Sequence, residues 1–343
     1  MLNKPPVRDD AIVACLRARY GVAVAGLAFL PLGADANSWV YRVAAGDGRT
    51  FFLKLKRGLP PEASVAVPRA LRDAGIAPIV APLPTTSGAL WGEIGDFVAL
   101  LYPFVEGTSG WTTPLTPAQW REYGATMRAI HGVALPPVVA RGVPREDFLP
   151  SARWTPTVER LLAGEHEAAR DDETARELAT FLRERRAEIA GLLRRTQELS
   201  RALGGGKAAT VLCHGDIHRG NLLVAPKGGL HVVDWDQPIF APRERDLMFV
   251  IGPTFNGFAV GSPEEAAFHA GYGEPALDPV ALAFYRYDWA LQDIGGYAWV
   301  VYWMPDAGEE TRRESVEGVR TVFASGGIVE AAYGSEADLT RAH

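Results

Sequence analysis

Two short segments hold the side chains best suited to chemistry in this 343-residue chain. The first is His-Gly-Asp-Ile-His-Arg-Gly-Asn (residues 214–221), and the second is Val-Val-Asp-Trp-Asp (residues 232–236). The carboxylate of Asp216 could take a proton from a hydroxyl, while the Asn221 amide and the Asp234 carboxylate offer the hard oxygen ligands that Mg²⁺ prefers. This spacing predicts a phosphoryl-transfer centre.

The surrounding sequence predicts that strands present these side chains. An apolar run at 209–213 indicates a buried strand that ends at the His-Gly-Asp loop. Two β-prone runs, 222–225 and 230–234, flank Pro-Lys-Gly-Gly and predict a hairpin. Such a hairpin places Asn221 at its entrance and Asp234 at its exit, on the same side.

The whole pattern resembles the aminoglycoside phosphotransferase family, relatives of protein kinases that phosphorylate small molecules. The resemblance lies in His-Gly-Asp, four residues, Asn, and then an apolar strand that ends in Asp-Trp-Asp. Within that family, residues 211–218 and 233–248 are most similar to the spectinomycin phosphotransferases. The resemblance implies ATP and Mg²⁺ as cofactors and a small-molecule hydroxyl as the acceptor.

Five polar residues receive a role from this resemblance. Asp216 is expected to be the catalytic base or the carboxylate that orients the hydroxyl, and Asn221 and Asp234 are expected to bind magnesium. His214 and Asp246 are expected to be structural, with Asp246 bracing the catalytic loop. By itself, a His-Gly-Asp triplet followed by Asn is also a common accident of turn chemistry.

His218 is a further catalytic candidate, because it follows Asp216 by only two residues. It could place a positive or hydrogen-bonding group beside the transferring phosphate. A histidine that merely braces the loop is the alternative.

The N-terminal third supports a kinase, which needs a strand lysine for the phosphates and an acid on the next helix to hold that lysine. Residues 50–56 alternate as a strand does and carry Lys54 and Lys56 on one face. Lys54 fits the family pattern better. Glu62 opens a predicted helix and is the expected partner of Lys54, although either residue could be an ordinary surface charge.

Other N-terminal residues are candidates for nucleotide contacts. The first predicted hairpin lacks the three-glycine loop of protein kinases, yet Asn37 and Ser38 could offer a hydroxyl and backbone amides to phosphate oxygens. A solvent-facing turn is the alternative. The family places adenine at the end of a strand such as 97–104. Tyr102, Phe104 and Val105 are therefore expected at the purine, with the amide of Phe104 or Val105 as donor.

The C-terminal part is expected to select the acceptor. Asp278-Pro279 starts a predicted helix with an aromatic face, on which Asp288, Trp289 and Asp293 could bind substrate ammonium groups. Core packing of the aromatic rings and solvation of the acids is the alternative. The Gly-Gly pair at 295–296 predicts either a break in the helix or a close approach of backbone.

The resemblance also implies an α+β, bilobal, protein-kinase-like fold. Residues 1–105 would form an N-terminal nucleotide-binding lobe built on an antiparallel sheet. Residues 106–343 would form the larger, mainly helical lobe for catalysis and substrate binding, with a helical insertion at about 154–202. A coiled coil is the alternative for that insertion, where a short leucine stripe lies among charged residues.

Composition narrows the setting of the protein. Nearly half of the residues are hydrophobic, and neither a signal peptide nor a membrane-spanning run is recognisable. With only two cysteines, a disulfide framework is not expected, and a cytoplasmic location follows. A net charge of −6 argues against nucleic acid as a partner and favours a cationic small molecule. The expected state is a monomer or weak dimer.

Three functional classes stay open at this point. The first is a kinase of spectinomycin or a related aminocyclitol or aminoglycoside, which would confer antibiotic resistance. The second is a metabolic kinase of a small amino alcohol, amino acid or sugar, and the third is a catalytically silent nucleotide-binding module. A protein kinase is disfavoured, because the short stretch between Asp234 and Asp246 leaves no room for a long activation loop.

Overall fold

A computed structural model describes residues 4–31, 37–204, 208–251, 262–305 and 307–341 of the protein.

The N-terminal part is an antiparallel sheet accompanied by two helices. Its strands are β1 (Val24–Leu30), β2 (Ser38–Ala45), β3 (Thr50–Arg57), β4 (Gly92–Ile94) and β5 (Phe97–Pro103). They lie in the order β1-β2-β3-β5-β4. The helices are α1 (Asp9–Tyr20), which packs on the sheet, and α2 (Glu62–Asp73).

Strand β3 shows how the sheet positions a functional side chain. Burial alternates along it, and Phe51, Leu53 and Leu55 enter the core that the sheet shares with α1. Because successive side chains of a strand point to opposite faces, Lys54 lies on the other face. That face meets the C-terminal part, where Lys54 bonds Asp236.

The C-terminal part is largely helical. Its helices are α3 (Pro117–Gly132), α4 (Pro137–Gly142), α5 (Thr155–Ala163), α6 (His166–Ala169), α7 (Glu173–Glu184), α8 (Arg186–Leu203), α9 (Glu244–Leu247), α10 (Pro263–Tyr272), α11 (Pro279–Tyr302), α12 (Glu309–Phe323) and α13 (Ile328–Arg341). Its strands are β6 (Thr108–Ser109), β7 (Val211–Cys213), β8 (Leu222–Val224), β9 (Leu230–Val232) and β10 (Ile239–Ala241). Strands β6, β8 and β9 form one small sheet, and β7 pairs with β10.

Two of these helices begin as their sequences predict. Thr116 and Gln119 form a reciprocal capping box at the start of α3, and the Asp278 side chain caps α11. Helix α11 continues through its glycine pair. A Cβ on Gly295 would come within 2.9 Å of the Trp154 carbonyl oxygen, so a close backbone approach, and not a break, accounts for the glycine.

The mixed α+β architecture with an N-terminal antiparallel sheet and a mainly helical remainder is confirmed. Helices α5 to α8 lie in the region about 154–202, and its status as an insertion stays a prediction. The division between residues 105 and 106 stays a prediction; β6 follows it closely and pairs with β8. Across the described ranges, no helix combines the length and apolar character needed to cross a membrane.

Candidate active site

The catalytic loop leaves strand β7 and is held by one buried carboxylate. Asp246 has no exposed surface. Its two oxygens accept hydrogen bonds from the backbone N–H groups of His214 and Gly215, each at 2.8 Å, and Nε2 of His131 lies 3.1 Å from Oδ2. Gly215 has a φ of +86°, which a residue with a side chain rarely adopts. The loop conformation therefore depends on Asp246 and on a glycine at 215.

His214 joins the catalytic loop to the segment that carries Asp234. Its Nε2 lies 3.0 Å from the carbonyl oxygen of Val233, and its Nδ1 accepts a hydrogen bond from the Asp216 N–H at 3.3 Å. Its ring packs on Trp235 with centroids 4.4 Å apart. Burial lowers the pKa of His214, so a neutral ring with its proton on Nε2 satisfies both contacts.

The Asp216 side chain is a largely buried carboxylate with a raised pKa. Its Oδ1 is buried and, within the described part of the chain, has no hydrogen-bond partner. Burial, followed by the charge of Asp234, raises the pKa of Asp216 to about 7. The Asp293 carboxylate also raises this pKa, whereas the Arg245 guanidinium lowers it. A carboxyl group of this kind can take up a proton near neutral pH.

His218 lies beside Asp216, with Nε2 at 3.3 Å from Oδ1. Burial lowers the pKa of His218 to about 4. The ring is therefore neutral near pH 7, which leaves it a hydrogen-bonding group and not a positive charge.

Asn221 and Asp234 lie where the predicted hairpin puts them. Asn221 ends a short 3₁₀ turn before β8, and its side-chain N–H donates to the Asp216 carbonyl oxygen at 2.7 Å. The amide oxygen of Asn221 is thereby left to act as a ligand. Asp234 follows β9 with a φ of +62° and a side chain 51% exposed. Its charge acts on Asp216, so the three groups share one site.

The acid that holds Lys54 differs from the one expected. Lys54 Nζ donates to both carboxylate oxygens of Asp236, at 3.1 and 3.0 Å, and lies 3.9 Å from Asp234. Glu62 begins α2 as predicted but is exposed, and the ion pairs of the described residues do not join it to Lys54. Asp236 was missed as a site residue, although it stands in the Asp-Trp-Asp motif.

The expected purine-binding strand is β5. The Phe104 N–H donates to the Thr50 carbonyl oxygen at 3.3 Å, which leaves Val105 as the candidate donor to a purine. Burial raises the pKa of Tyr102, and the charges of Asp236 and Asp234 raise it further. Tyr102 thus lies close to the lysine-binding carboxylates.

The phosphate-contact candidates follow the first hairpin loop. Asn37 is exposed, and its carbonyl oxygen accepts a hydrogen bond from the Arg57 N–H at 2.9 Å. Ser38 is buried and pairs with Lys56 across β2 and β3. Residues 32–36 of this loop lie outside the described residues.

A row of four rings borders Asp216. The His218 ring lies 5.4 Å from the Trp111 ring and 5.9 Å from the Phe249 ring, between centroids. Phe249 in turn meets Trp289 edge-on at 4.9 Å. Burial raises the pKa of Asp293 and the Trp289 side chain lowers it, so Asp293 lies close to this ring. Trp111 and Phe249 were not predicted, because nothing in their local sequence distinguishes them from core aromatics.

The two acids expected on α11 have different surroundings. Asp293 is half-buried, and burial raises its pKa to about 7. Asp288 is only 4% exposed; its oxygens accept hydrogen bonds from the Ser151 N–H at 2.8 Å and from the Gln292 side chain at 2.7 Å. Asp288 therefore anchors the 148–151 segment and is no longer a candidate for substrate contact.

Arg245 is another residue that the sequence did not single out. Its guanidinium carbon lies 5.6 Å from the Tyr285 ring centroid and 5.4 Å from that of Trp289. It is buried and lowers the pKa of Asp216. A buried cation over these rings thus offsets part of the negative charge that acts on Asp216.

A sheet lysine, a braced His-Gly-Asp loop and an Asn–Asp pair on one edge define a kinase with a protein-kinase-like fold. The chain belongs to the phosphotransferase enzyme family, whose model matches residues 28–285.

The chain is also similar to individual proteins. The chain is 28% identical over 284 residues to Protein StrN of Streptomyces griseus, with 80% of this chain and 79% of that protein covered. It is also 28% identical to spectinomycin phosphotransferase APH(9)-Ia, crystallised with ADP and spectinomycin. That structure has a TM-score of 0.83, covering 97% of this chain and 99% of the other. An aminopropanol kinase shares the fold at 18% identity and a TM-score of 0.61, covering 93% of this chain and 99% of its own.

Proposed function

We propose that this protein transfers the γ-phosphoryl group of ATP to a hydroxyl of a cationic aminocyclitol or aminoglycoside, with spectinomycin as the first candidate, and so confers antibiotic resistance. The observation that carries the proposal is the largely buried Asp216 carboxylate, whose pKa is raised by burial and further by the charges of Asp234 and Asp293. We assign Asp234 to the nucleotide side of Asp216 and Asp293 to the acceptor side. Similarity over nearly the whole chain to a spectinomycin-bound kinase supports this choice.

The transfer depends on Asp216. Phosphoryl transfer passes through a loose transition state, so the protein mainly holds the hydroxyl in line and balances charge on the phosphate oxygens. Oδ1 of Asp216, beside His218 Nε2, orients the acceptor O–H and takes its proton late in the reaction. As the proton moves to Asp216, the acceptor oxygen forms a bond to the γ-phosphorus and the bond to the ADP leaving oxygen breaks.

The nucleotide side fits magnesium. The Asn221 amide oxygen and the Asp234 carboxylate are hard ligands on one edge of the site, and Asp236 lies next to them on Lys54. These residues would hold a magnesium ion, which would neutralise charge on the nucleotide phosphates. Lys54 is placed to bind phosphate oxygens once it exchanges its Asp236 contact for them.

The acceptor side fits a cation. The Asp293 carboxylate lies near the Trp289 and Tyr297 rings of α11, and its charge raises the pKa of Asp216. An ammonium group there gains both an opposite charge and the negative faces of aromatic rings. The net charge of −6 adds a weak attraction for cations.

The test is a phosphorylation panel with purified protein and Mg-ATP. The acceptors are spectinomycin, other aminoglycosides, choline, homoserine and simple sugars, with ADP release and product mass as readouts. Phosphorylated spectinomycin in the wild type, absent with Asp216→Asn, is the expected result. Product from a metabolite alone would keep the transfer chemistry and reject the antibiotic, and growth of a sensitive bacterium in spectinomycin would report the same distinction in cells.

A further inference from the structure

We infer that Trp111 forms the outer wall of the acceptor site and selects acceptors that extend beyond the phosphorylated hydroxyl, such as multi-ring aminocyclitols, over short amino alcohols. This inference rests on the proposed function and assigns a specificity residue to it. Trp111 lies in the turn between β6 and α3, far in sequence from the catalytic loop.

Trp111 is one side chain away from the catalytic carboxylate. Its ring lies 5.4 Å from the His218 ring, with 37° between the planes. His218 in turn lies 3.3 Å from Asp216. At 45% exposure, Trp111 presents a large apolar surface beside the reaction centre. An aromatic side chain beside a reaction centre offers apolar surface that a bound ligand can cover.

The position of Trp111 is fixed by close packing against the catalytic loop. A Cβ on Gly220 would overlap the Trp111 indole, and a Cβ on Gly110 would come within 2.6 Å of the Arg219 carbonyl oxygen. Ser109 Oγ accepts a hydrogen bond from the Trp111 N–H at 3.2 Å and donates to the Gly220 carbonyl oxygen at 3.3 Å. The β6 turn is thereby held on the loop, so the indole is presented in one position.

The order of groups along the ring row decides which acceptors reach Trp111. Asp293 lies at the Trp289 end, Asp216 lies beside His218, and Trp111 stands at the other end. An acceptor with its ammonium on Asp293 and its hydroxyl at Asp216 reaches Trp111 only if it continues past that hydroxyl. A short amino alcohol ends at Asp216, whereas a fused or linked ring system covers the indole.

The contact is expected to be with C–H faces of a saturated ring. The guanidinium carbon of Arg219 already lies 5.4 Å from the centroid of the indole, so a positive charge is placed at this end of the row. A second ammonium group there would be repelled by the Arg219 charge. The neutral, apolar face of a saturated ring is not repelled, and it removes indole surface from water.

The experiment compares Trp111→Ala and Trp111→Phe with the wild type, using spectinomycin as the multi-ring acceptor and 1-amino-2-propanol as the short one. Trp111→Ala should raise the KM for spectinomycin about tenfold, while Trp111→Phe stays within about threefold of wild type. The KM for ATP should change less than about twofold, and so should kcat and KM for the short acceptor. If the enzyme does not use that acceptor, the rate of slow ATP hydrolysis replaces it in the comparison. Tyr333→Ala, an exposed aromatic on α13 with 43% exposure, is the matched control.

The outcomes separate this inference from the proposed function. An unchanged spectinomycin KM in Trp111→Ala overturns the inference alone. An equal loss of turnover with both acceptors, or in ATP hydrolysis, also overturns it, because Trp111 would then only support the catalytic loop. A wild-type protein that phosphorylates no multi-ring acceptor contradicts the proposed function, and the inference falls with it.

Discussion

The catalytic loop and the acceptor wall are built in opposite ways. The loop groups fall within residues 214–236; Asp246 accepts buried hydrogen bonds from the loop backbone, and His214 bonds the Val233 carbonyl oxygen. The wall draws one ring each from the β6 turn, the loop, the segment after α9 and helix α11. In the proposed function, transfer chemistry thus lies in a short stretch of the chain, whereas acceptor selection depends on distant segments that meet only in the folded chain.

The largest effect should come from the centre of the loop. Asp216→Asn removes the proton acceptor and is expected to lower kcat about 10²- to 10⁴-fold. Nucleotide affinity and the far-ultraviolet circular dichroism spectrum should stay as in the wild type, since Asn fits the same space. Turnover of the variant within tenfold of wild type would show that the loop does not carry the chemistry.

The brace of the loop should matter for stability. Asp246→Ala leaves two buried backbone N–H groups and His131 without their acceptor, which should lower the free energy of unfolding by about 3–5 kcal/mol. Urea denaturation measures this change. Asp96→Ala, at an exposed turn between β4 and β5, is the control and should be nearly neutral. Equal stability of both variants would mean that the loop holds itself.

The acid of the wall should act on acceptor binding. Asp293→Asn is expected to raise the acceptor KM about 10- to 100-fold, the value of a charged hydrogen bond, with kcat and the KM for ATP little altered. Because burial raises the pKa of Asp293 to about 7, the wild-type acceptor KM should increase as pH falls below 7 and the carboxylate is protonated. Asp293→Asn should lose that pH dependence. A wild-type KM that is flat between pH 6 and 8 would argue against an ion pair at this position.

The smallest effect concerns the partner of Lys54. Glu62→Gln should change the KM for ATP by less than about twofold, because Glu62 is an exposed residue at the start of α2. Asp236→Asn should change it more, since Asp236 holds Lys54 through two hydrogen bonds. If Glu62→Gln has the larger effect, the lysine exchanges partners when nucleotide binds.

The sequence predicted well what short-range spacing controls. The strand, loop and hairpin around Asp216, Asn221 and Asp234 follow from apolar runs and a glycine turn, so their geometry is local. The acid partner of Lys54 was chosen by chain order as Glu62, yet the partner in space is Asp236, 182 residues away. Contacts of that separation leave no periodic signal in the sequence.

Helix geometry explains the correction on α11. Asp293 follows Asp288 by five positions, which turns the helix by about 140° beyond a full turn. The two acids therefore lie on different faces: Asp288 accepts a hydrogen bond from the Ser151 N–H, whereas the charge of Asp293 acts on Asp216. Trp289 and Asp293 are four positions apart and share a face, and the Trp289 side chain affects the pKa of Asp293.

One kinetic measurement tests whether phosphoryl transfer and acceptor selection depend on different residues. The kcat and the acceptor KM are determined for wild type, Asp216→Asn and Asp293→Asn, with spectinomycin as acceptor at saturating Mg-ATP. Asp216→Asn is expected to lower kcat with a nearly unchanged KM, and Asp293→Asn is expected to raise KM with a nearly unchanged kcat. A change in the same parameter in both variants would contradict this separation, because transfer and selection would then depend on a single set of residues.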